Sequence, residues 1–176
     1  RLLATEPYKK KLDELRRRCR RAGASNVQAA VIDADPKAAW PPAVDRWRGG
    51  ADRILVDAPC SGIGSLRRNP EARWRLTEAE VAGLPAQQLA ICERAVGLLA
   101  PGGRLIYATC TVLRDENENV VTRLLERHPE LEQVPVKEIW GRERAEKVGD
   151  GVVMKTLPNV HGCDGFFAAV VRRKRA

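Results

Sequence analysis

Two cysteines stand where chemistry is expected. Ile54-Leu55-Val56 runs into Asp57 and then into Pro59-Cys60-Ser61-Gly62, and the segment Leu105 to Cys110 (LIYATC) repeats the plan. Each reads as a buried strand that stops in a polar turn and delivers a thiol at its C-terminal end. In an open α/β sheet both thiols then lie at the carboxyl edge, where ligands bind in that fold class. A cysteine becomes a nucleophile as the thiolate, in an electropositive and partly open site. The plainer reading is a small buried hydrophobe, and it is the one adopted for Cys19 and Cys92, which fall within helical stretches.

Other groups cluster near these ends. Asp57 closes an apolar run, so its carboxylate is either solvated, partnered or a cap for the following turn. Pro59 fixes the backbone before Cys60, while Gly62 and Gly64 allow tight turns or a close approach. Glu6 and Asp33 each end a predicted strand, on the same edge. In nucleotide-binding α/β folds an acid at such a position commonly accepts the ribose hydroxyls, although either residue could equally cap a helix. Arg67, Arg68, Arg73 and Arg75 surround Trp74 in the loop after Cys60. They offer phosphate contacts with a stacking surface, or else a merely solvated basic loop. The aromatics of Gly162-Cys163-Asp164-Gly165-Phe166-Phe167 read as core.

The elements that must position these residues follow from periodicity. Arg1 to Glu6, Val27 to Ile32, Arg53 to Val56 and Arg104 to Ala108 read as strands. Tyr8 to Ala22 is a basic amphipathic helix stopped by Gly23, and Thr77 with Glu80 forms a capping box for a helix from Glu78 to about Leu99. Pro101-Gly102-Gly103 stops that helix, and Asp115 to His128 forms another, ended by Pro129. A strand is expected near Val134 to Val136 in otherwise loop-like sequence, and Val152 to Leu157 with Phe166 to Val171 forms a closing antiparallel pair. The alternation argues for an α/β fold with a mainly parallel sheet covered by helices.

The bulk properties agree. A chain of 176 residues suits one domain, and a net charge of +8 points to a polyanionic partner, of which nucleic acid is the commonest. Five cysteines without a CxxC pair suggest neither a zinc site nor a secreted disulfide framework, and no apolar run reaches the length of a bilayer. A cytoplasmic protein without metal or membrane is expected.

The motifs together go further. DAPCSG at 57–62, RRNPEARW at 67–74, LLAPGG at 98–103 leading into YATC at 107–110, DENENVV at 115–121 and CDGFFAA at 163–169 occur in order. They resemble the RNA 5-methylcytosine methyltransferases of the NOL1/NOP2/Sun family, on the side of its bacterial 16S ribosomal RNA members. The resemblance implies a Rossmann-like, S-adenosyl-L-methionine-dependent methyltransferase acting on RNA, with 16S rRNA as the substrate. It implies that Cys110 attacks C6 of the cytosine and that Cys60 assists removal of the C5 proton and release. Asp57 would hold the base or the cofactor end, Glu6 would match the ribose-binding acid, and Asp33 the adenine-side acid. Arg67, Arg68, Arg73 and Trp74 would grip the RNA. The family's first strand, with its glycine-rich cofactor loop, and its N-terminal RNA-binding region have no counterpart here. The expectation is therefore an N-terminally truncated catalytic domain over residues 1–176, whose neighbouring strand edges are left open. Thr111 stands where the family usually has serine. Two other readings stay open: an inactive RNA-binding fragment of such an enzyme, and a DNA cytosine-C5 methyltransferase in which Cys60 is the nucleophile.

Overall fold

The computed structural model describes residues 1–175, which fall into two compact units, Arg1–Arg48 and the residues from Gly49 onward. The first contains strand β1 (Leu2–Glu6), helix α1 (Lys9–Arg21), strand β2 (Val27–Val31) and a single helical turn, α2 (Pro42–Asp45). β1 and β2 pair in parallel with Leu2 opposite Val27 and Glu6 opposite Val31. Helix α1 buries Leu12 and turns its charges outward, where Asp13 and Glu14 pair with Arg16 and Arg18 one turn on. Arg18, Arg20 and Arg21 occupy its last turn, the end at which cations suit the helix dipole.

The second unit opens with β3 (Ala51–Asp57), α3 (Glu78–Val96) and β4 (Leu99–Thr109), a right-length crossover that leaves β3 and β4 parallel and adjacent. Next come α4 (Glu118–Arg127), β5 (Leu131–Val134), α5 (Val136–Trp140), α6 (Arg142–Glu146), β6 (Met154–Thr156), α7 (Pro158–His161) and β7 (Phe166–Arg173). The strand order is β3-β4-β7-β5, with β6 also paired to β7. The expected antiparallel pair is therefore present as β6 and β7, but β7 additionally inserts antiparallel between β4 and β5, so this sheet is mixed. Its position between two strands explains the nearly unbroken run Phe167-Ala168-Ala169-Val170-Val171. Leu89, Cys92 and Val96 of α3 and Val120, Val121 and Leu124 of α4 join Leu105, Tyr107, Phe167 and Val171 of the sheet in one core. Tyr107 and Phe167 meet edge to face, with ring centroids 6.3 Å apart. Among the described residues β3 is paired only to β4, and Leu55 on it is 68% exposed.

Several boundaries differ from the sequence expectation, each for a physical reason. Helix α3 has the Thr77–Glu80 capping box but ends at Val96, and β4 begins already at Leu99. Ala51 pairs with Leu99 and Arg53 with Arg104, so residues 100–103 bulge opposite the single residue Asp52. Pro101-Gly102-Gly103 thus sits inside the strand, and a Cβ on Gly103 would come within 2.8 Å of the Ala51 and Ala100 carbonyl oxygens. The helix expected from Asp115 starts only at Glu118, after a tight turn over Arg114–Glu116 and a non-helical Asn117 (φ −115°, ψ −98°). The break lets Glu116 and Asn117, both fully buried, turn their side chains toward the strand ends. The strand expected near Val134 to Val136 lies earlier in the chain, as β5, and shares only Val134 with the expectation: Pro135 has no N–H for a ladder and caps α5, which Val136 opens.

A two-cysteine candidate active site

Adjacent parallel strands release their following turns side by side. With Asp57 opposite Ala108, the turns after β3 and β4 bring Cys60 Sγ to 3.3 Å from Cys110 Sγ, across fifty residues of sequence. The backbone fixes this meeting: Ala58 N donates to Ala108 O and Gly64 N to Cys110 O, both at 3.0 Å. A third stretch joins them where Gly165 N donates to Gly64 O at 2.8 Å. A Cβ on Gly64 would stand 2.2 Å from Gly165 O and 2.8 Å from Cys110 O, so glycine is what allows the three chains to touch. Arg68 Nε donates to Asp164 Oδ2 at 2.6 Å, fastening the basic loop to that same third stretch.

Beneath the thiols lies a set of buried polar side chains. Ser61 N and Gln88 Nε2 each donate to Glu116 Oε2 at 2.9 Å, and the hydroxyls of Ser61 and Thr111 donate to Oε1 at 2.5 and 3.0 Å. Gln88 Nε2 also donates to Pro59 O at 2.9 Å. Thr109 Oγ1 donates to Asn117 Oδ1 at 2.6 Å, Asn117 Nδ2 donates to Thr111 O at 3.1 Å, and the Tyr107 hydroxyl donates to Glu116 O at 2.5 Å. Buried polar groups are affordable when bonded in this way.

Burial, reinforced by the hydrogen bond and the charge of Cys110, pushes the Cys60 thiol up to about 12. At neutral pH Cys60 therefore keeps its proton and can donate toward the Cys110 sulfur. Cys92 is also raised to about 12, through burial in the core face of α3, and does structural work there.

The remaining sequence candidates are distributed as follows. Asp57 is exposed at the end of β3, three residues before Cys60. In the first unit, the register of β1 and β2 puts Glu6 and Asp33 at the same end of the pair. Glu6 Oε1 accepts Tyr8 N at 3.2 Å and pairs with Lys11, and Asp33 Oδ1 accepts Asp35 N at 2.9 Å, which are the local turn and cap roles weighed above. Arg67 and Arg73 are exposed, and Trp74 is 83% exposed at the end of a short turn, Pro70–Trp74. Among the described residues no group of three or more His, Cys, Asp or Glu could hold a metal ion, and no helix is long and apolar enough to cross a membrane. Sequence reasoning missed Ser61, Gln88, Thr111 and Glu116. A signal was there: each cysteine is followed directly by a hydroxyl residue, and Thr111 offers the same hydroxyl as the serine it replaces.

Comparison with known proteins fits this arrangement. The 16S rRNA methyltransferase RsmB/F family matches residues 1–172. The ribosomal RNA small subunit methyltransferase F of Citrobacter koseri is 34% identical over 177 residues, covering 99% of this chain and 35% of that protein. A crystal structure named PH0851 superposes with a TM-score of 0.82 at 34% identity, covering 97% of this chain and 36% of the other. NSun6 from Pyrococcus horikoshii, solved with SFG, gives 0.75 at 25% identity, covering 99% and 41%. The chain spans 26% to 35% of the length of the curated relatives that it matches. Its α/β fold is that of the Rossmann-like methyltransferases. Matched almost from end to end, with its two thiols at neighbouring strand ends, the chain belongs to the 16S rRNA methyltransferase RsmB/F family.

Proposed function

We propose that this chain is the catalytic region of an S-adenosyl-L-methionine-dependent enzyme that methylates C5 of a cytosine in RNA, with 16S rRNA as the substrate, through a covalent adduct at Cys110. The observation that carries the reading is the 3.3 Å contact between two thiols at the ends of neighbouring parallel strands. C5 of cytosine is a poor nucleophile. Bonding of the Cys110 sulfur to C6 pushes electron density onto C5, splitting one hard step into easier ones. Cys60 keeps its proton while Cys110 is free, and its S–H stabilises a thiolate on Cys110. Once Cys110 is bonded to carbon, its hydrogen bond and charge no longer raise the Cys60 thiol, although burial still does. Cys60 can then give its own proton to solvent and, as the thiolate, take the C5 proton, whose loss expels the Cys110 sulfur from C6 and restores the ring.

S-adenosylmethionine, when bound, supplies the methyl group. Glu6 and Asp33 at one end of a parallel strand pair fit the hydroxyl and amino donors of its adenosine, and the exposed Asp57 fits a donor edge of base or cofactor. Arg67, Arg68 and Arg73 beside Trp74 suit phosphates and a stacked base. A single-stranded or extruded cytosine is required for attack at C6. The DNA-enzyme reading would make Cys60 the attacking group, and a thiol pushed up to about 12 is poorly suited to that role.

The test is RNA carrying 5-fluorocytosine, whose C5 cannot release a proton. The protein should be trapped in a denaturation-resistant adduct whose peptide contains Cys110, and Cys110→Ala should abolish it. An adduct that persists in Cys110→Ala, or that maps to Cys60, overturns the assignment.

A further inference from the structure

We propose that Glu116 is the positioning residue of the two-cysteine site: a single buried carboxylate holds the loops of Cys60 and Cys110 together by binding the residue that follows each thiol. Ser61 reaches it through both its N–H and its hydroxyl, and Thr111 through its hydroxyl. The two hydroxyls also lie 2.9 Å from one another. Among the described residues its four donors come from Ser61, Thr111 and Gln88. One of these donors, the Gln88 amide, reaches back to Pro59 O on the other side of Cys60. The neighbouring Asn117 treats Cys110 in the same manner, accepting from Thr109 and donating to Thr111 O. All four residues flanking the two cysteines are thus bound to Gln88, Glu116 or Asn117.

The chain gives up helical continuity to make this possible. The break at Asn117 turns Glu116 inward, and the Tyr107 hydroxyl holds the Glu116 carbonyl. Gln88 Oε1 is buried with no partner, so the amide is committed through its donor end. A carboxylate is the group of choice here because it offers only acceptors, and every atom facing it is a donor. Glutamine at 116 could keep an acceptor toward Ser61 N and Gln88 Nε2 only by turning its amide N–H groups on the Ser61 and Thr111 hydroxyls, both of which donate to the carboxylate here. Glu116 itself touches neither sulfur, so its contribution is geometric. It keeps two thiols at contact distance, on turns that carry no regular secondary structure of their own.

The inference requires only that Cys60 and Cys110 act as the reacting pair, as proposed above. Its direct readout uses neither RNA nor cofactor. Phenylarsine oxide condenses with two neighbouring thiols, forming two As–S bonds and releasing water. Its affinity for the Cys60/Cys110 pair, measured by titration and competition with a small dithiol, reads how well the pair is held. Cys110→Ser should remove the tight site. Glu116→Gln should weaken it by about tenfold or more, since holding two groups in place raises their effective concentration. Thr111→Val, which keeps the shape and deletes one hydroxyl, should weaken it severalfold and serves if Glu116→Gln fails to fold. Leu124→Ala destabilises the same core from α4 and should leave the affinity of the folded protein unchanged. A purely structural Glu116 would lower thermal stability in the manner of Leu124→Ala without changing arsenical affinity, and that outcome overturns the proposal. Wild-type affinity in folded Thr111→Val overturns it as well. Loss of arsenical binding in Glu116→Gln with no 5-fluorocytosine adduct in the wild type would leave the clamp standing and remove the methylation reading.

Discussion

Burial keeps the proton on Cys60, and on the proposed mechanism this thiol works late, after the Cys110 sulfur has bonded to C6. If Cys60 serves release rather than attack, Cys60→Ala should accumulate a covalent complex with ordinary cytosine RNA, with turnover reduced at least about 100-fold. Gel retardation after denaturation, compared with wild type, reads this directly. The acidity of Cys60 is itself testable. Burial is the main cause of its rise and Cys110 the second, so Cys110→Ala should lower the Cys60 thiol from about 12 without returning it to 9.0. At pH 9 iodoacetamide should then modify Cys60 faster in Cys110→Ala than in the wild type. An unchanged rate would mean that the two sulfurs do not sense each other. The residue scale is also where sequence is least informative about geometry. Glu116 occupies a stretch whose apolar period predicts continuous helix, in which an acid at that position belongs on the surface. Nothing local reveals that Ser61 from the turn after β3 and Gln88 from α3 converge on it.

At the level of elements, the site depends on glycine as much as on cysteine. Gly64→Ala would drive a methyl group into two carbonyl oxygens belonging to different stretches, and neither can move without shifting Cys110 or Gly165. The expected cost is about 3 kcal/mol by urea unfolding, at the upper end of overpacking effects because backbone rather than a side-chain tip is struck. Thr77→Ala should cost only about 1 kcal/mol, the ordinary value of a capping side chain at an exposed helix start. Such a cap is local and was therefore readable: Thr77 and Glu80 form both halves of the box that their spacing suggests. The strand ends at Asp57 and Cys110 were readable for the same reason, since apolar runs and turn residues are properties of a few neighbours. The bulge at residues 100–103 was not. Pro-Gly-Gly ends elements as a rule, and only pairing with Ala51 reveals that here it interrupts one.

For the whole molecule, charge and burial set the conditions under which it works. If RNA is the substrate as proposed, a net charge of +8 should make its binding fall steeply with salt, and Arg67→Ala together with Arg73→Ala should reduce the log–log slope by about 1 to 2. Stability should decline on the alkaline side. Cys92 has a folded value of about 12 against 9.0 when unfolded, so folding retains a proton that the unfolded chain releases. The contribution is fully present below pH 9 and is lost as pH rises toward 12, by up to about 1.4 kcal/mol per unit. Cys92→Ala should flatten that limb in melts taken from pH 8 upward. Calorimetry with S-adenosylmethionine separates the enzyme from a bare RNA-binding scaffold, for which no cofactor heat is expected. The parallel pairing of β3 and β4 also has a kinetic meaning. Their thiols can meet only after a fifty-residue crossover has closed, a slow, entropically uphill event in a refolding chain. Pulses of a dithiol-bridging reagent during refolding would therefore time the closure of this single connection, and the two cysteines would serve as a built-in clock for the assembly of the sheet.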